Sequence, residues 1–253
     1  NSMRYHWKEK TCGENSDRYE LSLPGRQQQL VEAVVATGVP TIVVLVNGRP
    51  LTVEWIARHV PAVIEAWEPG LYGGQAVGEI LYGKVSPSAK LPVTIPRGVG
   101  QIGCYYNHKY CAYRFPYATG KTEPLYEFGF GLSYTTFKYS NPRLSTSTIS
   151  TTDSVRVSVD ITNTGAIDAE EVAQLYIRDD YSSATRPMKE LKGFERIFLK
   201  AGETKTVSFL VTPESLAYYD AQMKYGVEPG TFTMMVGSSS RDKDLQRLSL
   251  TVK

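Results

Sequence analysis

Glu9, Glu14, Asp17 and Glu20 crowd the N-terminal segment, in a polar loop ahead of Pro24-Gly25. A carboxyl group can attack an electrophilic carbon, or give and take a proton, when its surroundings tune its pKa to the task. In an open polar loop its ordinary state is a solvated anion, so the loop by itself assigns no catalyst. His6, His59 and His108 share no metal-ligand spacing. The 3 cysteines, Cys12, Cys104 and Cys111, form no C-x-x-C, and their odd number argues against a disulfide framework. Cys104 and Cys111 could still pair within one loop. Neither G-x-S-x-G nor G-x-x-x-x-G-K-[ST] occurs. The glycines of Pro69-Gly70-Leu71-Tyr72-Gly73-Gly74 stand where phosphate sites form in other folds. Without G-x-G-x-x-G, they read as a tight turn and a close packing contact.

The elements that must carry these groups divide by period. Over 26–37, Leu30, Val31, Val34 and Val35 recur at helical spacing, and Gly38 and Pro40 stop the helix. Residues 41–46 are β-branched and apolar on both faces, the pattern of a doubly covered strand in a parallel sheet. Asn47-Gly48-Arg49-Pro50 is a turn, 53–59 a short helix, 62–67 a second buried strand, and 75–82 a helix closed by Gly83. Strands that alternate with helices predict an α/β unit with parallel strands. From 154 onward the period becomes two. Val155, Val157, Val159 and Ile161 face one way, and strands follow at 172–178, 190–199, 204–211, 231–236 and 248–252. That pattern predicts an all-β sandwich of fibronectin type III or immunoglobulin kind. Ser145–Thr152 reads as an exposed lead-in. The expected division is a partial α/β sandwich domain over 1–120, a linker over 121–140 and the β-sandwich over 141–253.

Composition bounds the function. Lys+Arg 28 against Asp+Glu 26 gives a net charge of +2, so no polyanionic partner such as nucleic acid is expected. The apolar run at 41–46 is far too short to span a bilayer, and no basic-then-apolar leader opens the chain, so the sequence leaves the compartment undefined. With 42% hydrophobic and 21% charged residues, the chain is globular.

Taken in order, several segments resemble the C-terminal half of family 3 glycoside hydrolases, the β-glucosidase and β-xylosidase group. They are Gly13-Glu14-Asn15-Ser16-Asp17-Arg18, Leu21-Ser22-Leu23-Pro24-Gly25, Val46-Asn47-Gly48-Arg49-Pro50 and Ala66-Trp67-Glu68-Pro69-Gly70. Pro87-Ser88-Ala89-Lys90-Leu91-Pro92, Tyr105-Tyr106-Asn107-His108-Lys109, Pro124-Leu125-Tyr126-Glu127-Phe128-Gly129-Phe130-Gly131 and Glu190-Leu191-Lys192-Gly193-Phe194 follow. Each segment alone is weak, whereas their shared order is specific and covers nearly all of the chain.

The resemblance implies a (β/α)₈ barrel, an α/β sandwich and a fibronectin-like domain, with this chain holding part of the second and all of the third. It implies retaining hydrolysis of terminal β-linked glucose or xylose by two carboxyl groups about 5–5.5 Å apart. The nucleophilic Asp would lie on the barrel, supplied in cis or as a partner chain, and the isolated chain would be inactive. The acid/base would be Glu14, with Glu20 and Glu9 as competitors because this loop varies among relatives. Asp17 and Arg18 read as a structural pair. Trp67 reads as core, with a sugar-facing rim position as the alternative. Tyr105, Tyr106, Asn107 and His108 read as packing onto the sandwich, with sugar contacts from Tyr105 and His108 as the alternative. Phe128, Phe130 and Tyr134 read as a plug between domains, and Arg49 as an anchor for a carboxylate or carbonyl. The resemblance implies no metal or organic cofactor. A derived carbohydrate-binding or scaffolding module without catalysis is the competing function.

Overall fold

The computed structural model describes residues 18–101, 103–110 and 117–253. They form two compact units: one takes the chain up to Tyr82 with Ile95–Cys104 and Glu123–Tyr126, the other Gly83–Thr94, Tyr105–Thr122 and Glu127–Lys253.

The first unit contains α1 (Gln27–Ala36), β1 (Ile42–Leu45), α2 (Glu54–His59), β2 (Ala62–Glu65) and α3 (Gly73–Leu81). β1 and β2 pair in parallel, from Ile42↔Ala62 to Leu45↔Glu65, as the doubly apolar strands require. Beyond the C-terminus of α1, Gly38 takes φ 76° and its N–H bonds the Val35 carbonyl at 3.0 Å. Leu45, Leu51, Val53, Ile56 and Val60 form the core, and Val31 and Val35 of α1 pack on it. The other half of the α1 stripe does not: Leu30 is 63% exposed, and Ile42 of β1 is 50% exposed. α3 begins two residues earlier than the glycine signal suggests, at Gly73. A Cβ there would stand 2.5 Å from Pro69 Cγ, so glycine is required for the helix to start against the proline ring.

The second unit is built on β3 (Phe137–Leu144), β4 (Thr148–Ile149), β5 (Val155–Asn163), β6 (Ala169–Asp179), β7 (Glu190–Leu199) and β8 (Thr204–Val211). α4 (Pro213–Leu216), β9 (Tyr218–Tyr219), β10 (Tyr225–Gly226), β11 (Gly230–Gly237) and β12 (Leu245–Val252) follow. Among the described residues, one sheet runs β4-β12-β11-β6-β7 and the other β3-β5-β8. The alternating valines of β5 face Ala173, Leu175 and Ile177 of β6 and Met234 of β11 across a closed core. Two strands depart from the sequence reading. β3 begins at Phe137, within the 121–140 stretch expected as linker, and runs on through Asn141-Pro142. β3 is an edge strand, and its register shifts between Ser140 and Arg143, which accommodates the proline's missing N–H. The expected lead-in at 145–152 is mostly exposed, but Thr148–Ile149 pairs with β12 and Ile149 is buried.

Residues 83–94 and 127–134 lie along this sandwich. The Leu91 N–H donates to the Phe130 carbonyl and the Gly129 N–H to that of Leu91, both at 2.8 Å. Gln174 Nε2 donates to the carbonyl oxygens of Gly129 (3.0 Å) and Ser238 (2.7 Å). Gly129 has φ 77°, which strains other residues, and an added Cβ would meet Gln174 Oε1 at 2.1 Å and displace that amide. Phe128 and Tyr106 stack with ring centroids 4.2 Å apart and pack with Tyr176, Met235 and Leu245. Phe130 lies under the Arg241 guanidinium at 4.9 Å, and the Tyr134 N–H donates to Ser86 Oγ at 3.0 Å. The expected interdomain plug residues therefore have these partners within the second unit. Glu171, only 3% exposed, receives Lys90 Nζ at 3.0 Å and the Tyr139 hydroxyl at 2.9 Å.

Removing Lys90 strands that carboxylate. Lys90→Ala should destabilise the second unit by about 3–5 kcal/mol, read by denaturant unfolding; a loss within about 0.5 kcal/mol, the range of an ordinary surface change, would show that the pair is dispensable.

Candidate functional site

Ligands of parallel α/β sheets collect at the carboxyl ends of the strands. In the first unit that end joins two loops. The Ala66 N–H donates to the Leu45 carbonyl at 2.9 Å, and the Asn47 N–H to that of Trp67 at 3.2 Å. Trp67 has φ 52°, a left-handed conformation that costs a bulky side chain energy and persists only when its neighbours impose it. Here its N–H donates to Glu65 Oε1 at 3.2 Å. Burial pushes the Glu65 carboxyl up, against the pull of hydrogen bonds from the Trp67 N–H and the Asn47 side chain. Asn47 Nδ2 donates to the Arg49 carbonyl at 2.7 Å, while Asn47 Oδ1 is buried without a partner among the described residues.

Arg49 acts as the expected anchor. Its Nη1 reaches the Arg18 carbonyl at 3.4 Å, and the Thr52 N–H donates to the Leu21 carbonyl at 2.8 Å. The backbone that leaves the Gly13–Arg18 motif is thereby tied to the turn after β1. Glu14 lies outside the described residues, as do Glu9, Asp17, Cys12 and Cys111. Glu20 lies within them and accepts from the Ser22 hydroxyl at 3.1 Å.

Of the other candidates, Trp67 belongs to the first unit and is half-buried, whereas Tyr105 and His108 belong to the second. Their segment rests on the sandwich. The Leu191 N–H donates to Tyr106 Oη at 3.3 Å, and the Met188 N–H to the His108 carbonyl at 2.9 Å. Tyr105 stays 67% exposed, and the exposed His108 ring places Nδ1 2.9 Å from the Lys109 carbonyl. The half-buried Cys104 thiol is pushed up by burial, which disfavours the thiolate. Sequence reasoning passed over Asn47 and Glu65. Asn47 carried a signal in its position straight after an apolar strand; Glu65, inside one, carried none. Among the described residues, no group of three or more His, Cys, Asp or Glu is placed to hold a metal ion, and no helix is long and apolar enough to cross a membrane.

The profile of the glycosyl hydrolase family 3 C-terminal domain matches residues 5–134, across the motif, the parallel strands and both loops. The chain belongs to glycosyl hydrolase family 3. Within this family 3 chain, a fibronectin type III-like domain matches residues 171–240. An α/β unit followed by a fibronectin type III-like sandwich is thus its fold class. A beta-xylosidase of Formosa agariphila is 49% identical over 96% of the chain, which covers 34% of that protein. A periplasmic beta-glucosidase of Salmonella typhimurium is 43% identical over 90% of the chain, covering 31% of that protein. The crystal structure of a beta-glucosidase from Listeria innocua in complex with glucose superposes with a TM-score of 0.91 at 36% identity, across 96% of this chain and 35% of that one. The family 3 chain spans about a third of the length of the relatives it matches.

The raised pKa of Glu65 predicts a pH-dependent stability for this corner. Because its pKa is raised in the folded state, the stability that goes with its proton is complete below the ordinary glutamic value near 4.3. That stability is lost as pH rises through the raised value. Glu65→Gln should flatten this part of the melting temperature's pH profile. An unchanged slope would place the titration elsewhere.

Proposed function

We propose that this chain is the C-terminal part of a retaining exo-acting β-glycosidase that hydrolyses terminal β-linked glucose or xylose. The 49% identity to a beta-xylosidase across 96% of the chain carries the reading. The remaining two-thirds of such a protein would supply a (β/α)₈ barrel with the nucleophilic Asp, in the same polypeptide or as a partner chain. Glu14 would be the general acid/base. Protonated, it gives its proton to the departing glycosidic oxygen while the Asp attacks the anomeric carbon. As a carboxylate, it then takes a proton from the water that cleaves the glycosyl-enzyme ester. The acid step needs a carboxyl whose pKa is raised, which closure against a second domain would supply by removing water. The Arg49 bond to the Arg18 carbonyl supports this role. It ties Arg18, the last residue of the motif, to the turn after the first parallel strand. Trp67, Tyr105 and His108 remain the candidates for sugar contacts from this chain.

Glu14→Gln in the full-length enzyme should slow turnover of a glycoside with a poor leaving group by about 10²–10⁴-fold. An aryl glycoside whose leaving group needs no proton should be slowed much less in its first step. Wild-type rates on both substrates would remove Glu14 from the mechanism. The isolated chain should show no hydrolysis of an aryl glucoside, and activity there would overturn the assignment of the nucleophile to the missing part.

A further inference from the structure

β6 ends on Asp179, where the chain enters the loop that leads to β7. Among the described residues, two buried atoms in this region have no hydrogen-bond partner, and their charges are opposite: Asp179 Oδ2 and Arg186 Nη1. A carboxylate and a guanidinium buried together would ordinarily bond each other. Arg186 is engaged elsewhere. Its Nη2 donates to Glu190 Oε2, and its guanidinium lies 4.5 Å from the centre of the Tyr218 ring. Glu190 also receives Lys192 Nζ at 3.7 Å. The Asp179 carboxyl takes the Tyr181 N–H and faces the like charges of Glu228 and Asp180. Glu228 accepts the Ser183 N–H at 3.0 Å, and Asp180 accepts Thr233 Oγ1 at 2.9 Å and Arg178 Nε at 3.6 Å. β11 sets Phe232 opposite Asp179 and brings no charged side chain. Burial therefore dominates: against the pull of Arg186, and helped by Glu228 and Asp180, it pushes the Asp179 carboxyl up to about 6. The same loop grips a second segment. Pro187 bridges Lys109 in antiparallel fashion, and the Met188 N–H donates to the His108 carbonyl at 2.9 Å.

We propose that Asp179 and Arg186 form a proton-controlled latch, which loosens the hold of loop 180–189 on segment 105–109 when Asp179 loses its proton. With the proton on, Asp179 is neutral and tolerates its half-buried position, and Arg186 stays on Glu190 and Tyr218. With the proton off, the carboxylate needs a donor. Glu228 and Asp180 offer only repulsion, and Arg186 Nη1 is the buried donor left unused in the cluster. Turning Nη1 toward Asp179 draws the guanidinium away from Tyr218 and Glu190. The next two residues, Pro187 and Met188, are those that grip Lys109 and His108, so the movement reaches segment 105–109 directly. The sign follows from linkage. The arrangement with Arg186 on Glu190 is fully favoured below the ordinary aspartate value near 3.9, and that preference is lost as pH rises from there through about 6. Any effect on sugar contacts from Tyr105 and His108 rests on the β-glycosidase reading, whereas the latch itself does not.

The test is hydrogen–deuterium exchange of the full-length protein from about pH 4 to 8, read by mass spectrometry and corrected for the intrinsic pH dependence of exchange. Protection of the peptides covering 105–110 and 186–191 should fall by about tenfold up to pH 6 and level off above it. Complete release would give about a hundredfold, the ratio of the two acid constants, and solvent at the half-buried carboxyl screens part of that. The peptide covering β5 should show no such fall, which separates the latch from global unfolding. Asp179→Asn keeps the shape and stays neutral, so its two peptides should remain protected to pH 8. A flat wild-type profile would overturn the proposal and leave water as the bridge between the two buried atoms; this readout depends on no variant folding. A fall that survives in Asp179→Asn would belong to another group, such as His108, and would equally overturn it. Exchange is read without any hydrolysis, so failure of the glycosidase reading and failure of the latch are separate results.

Discussion

A carboxylate withdrawn from water must find a counter-charge and hydrogen-bond donors, or the surrounding structure gives way. Glu171 imposes that requirement on the sandwich. It lies on the inward-facing series of β6 with Ala173 and Leu175, and its oxygens take Lys90 Nζ and the Tyr139 hydroxyl. Lys90 comes from a segment far away in sequence and Tyr139 from the opposite sheet, so one buried charge ties three parts of the unit. Burial, and after it the same carboxylate, pushes the Tyr139 phenol far above its ordinary range, so this hydroxyl stays a donor. Lys90 Nζ also approaches the Gly131 carbonyl at 3.4 Å. There a Cβ would stand 2.4 Å from the Ala89 carbonyl oxygen, so glycine is what permits the two segments to touch.

The first unit rests on different physics. Its parallel pair is short, and among the described residues each strand has one neighbour. Leu30, Ile42 and Val46 are exposed, while Ile56 and its neighbours close the core. What is well determined is the polar corner at the strand ends. There the left-handed Trp67 backbone is held by Glu65 on one side and Asn47 on the other. Arg49 carries that order to the Arg18 carbonyl through the fixed fork of its guanidinium. Trp67 holds a left-handed backbone here, and among the described residues Asn47 Oδ1 is buried without a partner.

Much of the architecture was legible from periodicity alone. The alternation of Val155, Val157, Val159 and Ile161 predicted a strand with one buried face, and the run at 41–46 predicted a parallel one; both are local signals that a one-residue slip would destroy. The bounds at 190–199 and 204–211 coincide with β7 and β8 because turn residues separate them. The start of β3 inside the expected linker carries no clear local signal, because Asn141-Pro142 interrupts the pattern and is accommodated by an edge position with a register shift. The early start of α3 escaped because glycine is a poor helix former until a proline ring is packed against it.

The amino-acid order by itself determined the fold class, the strand faces and the family motifs, since each of these is written in spacings of a few residues. Only the tertiary structure decided that Lys90 belongs to Glu171, that Phe128 stacks on Tyr106, that Trp67 adopts a left-handed backbone and that Tyr219 meets Tyr225. These outcomes depend on burial and on close approach between residues distant along the chain. No local spacing encodes either one, because the free energy of a buried charge or a strained backbone is set by everything packed around it.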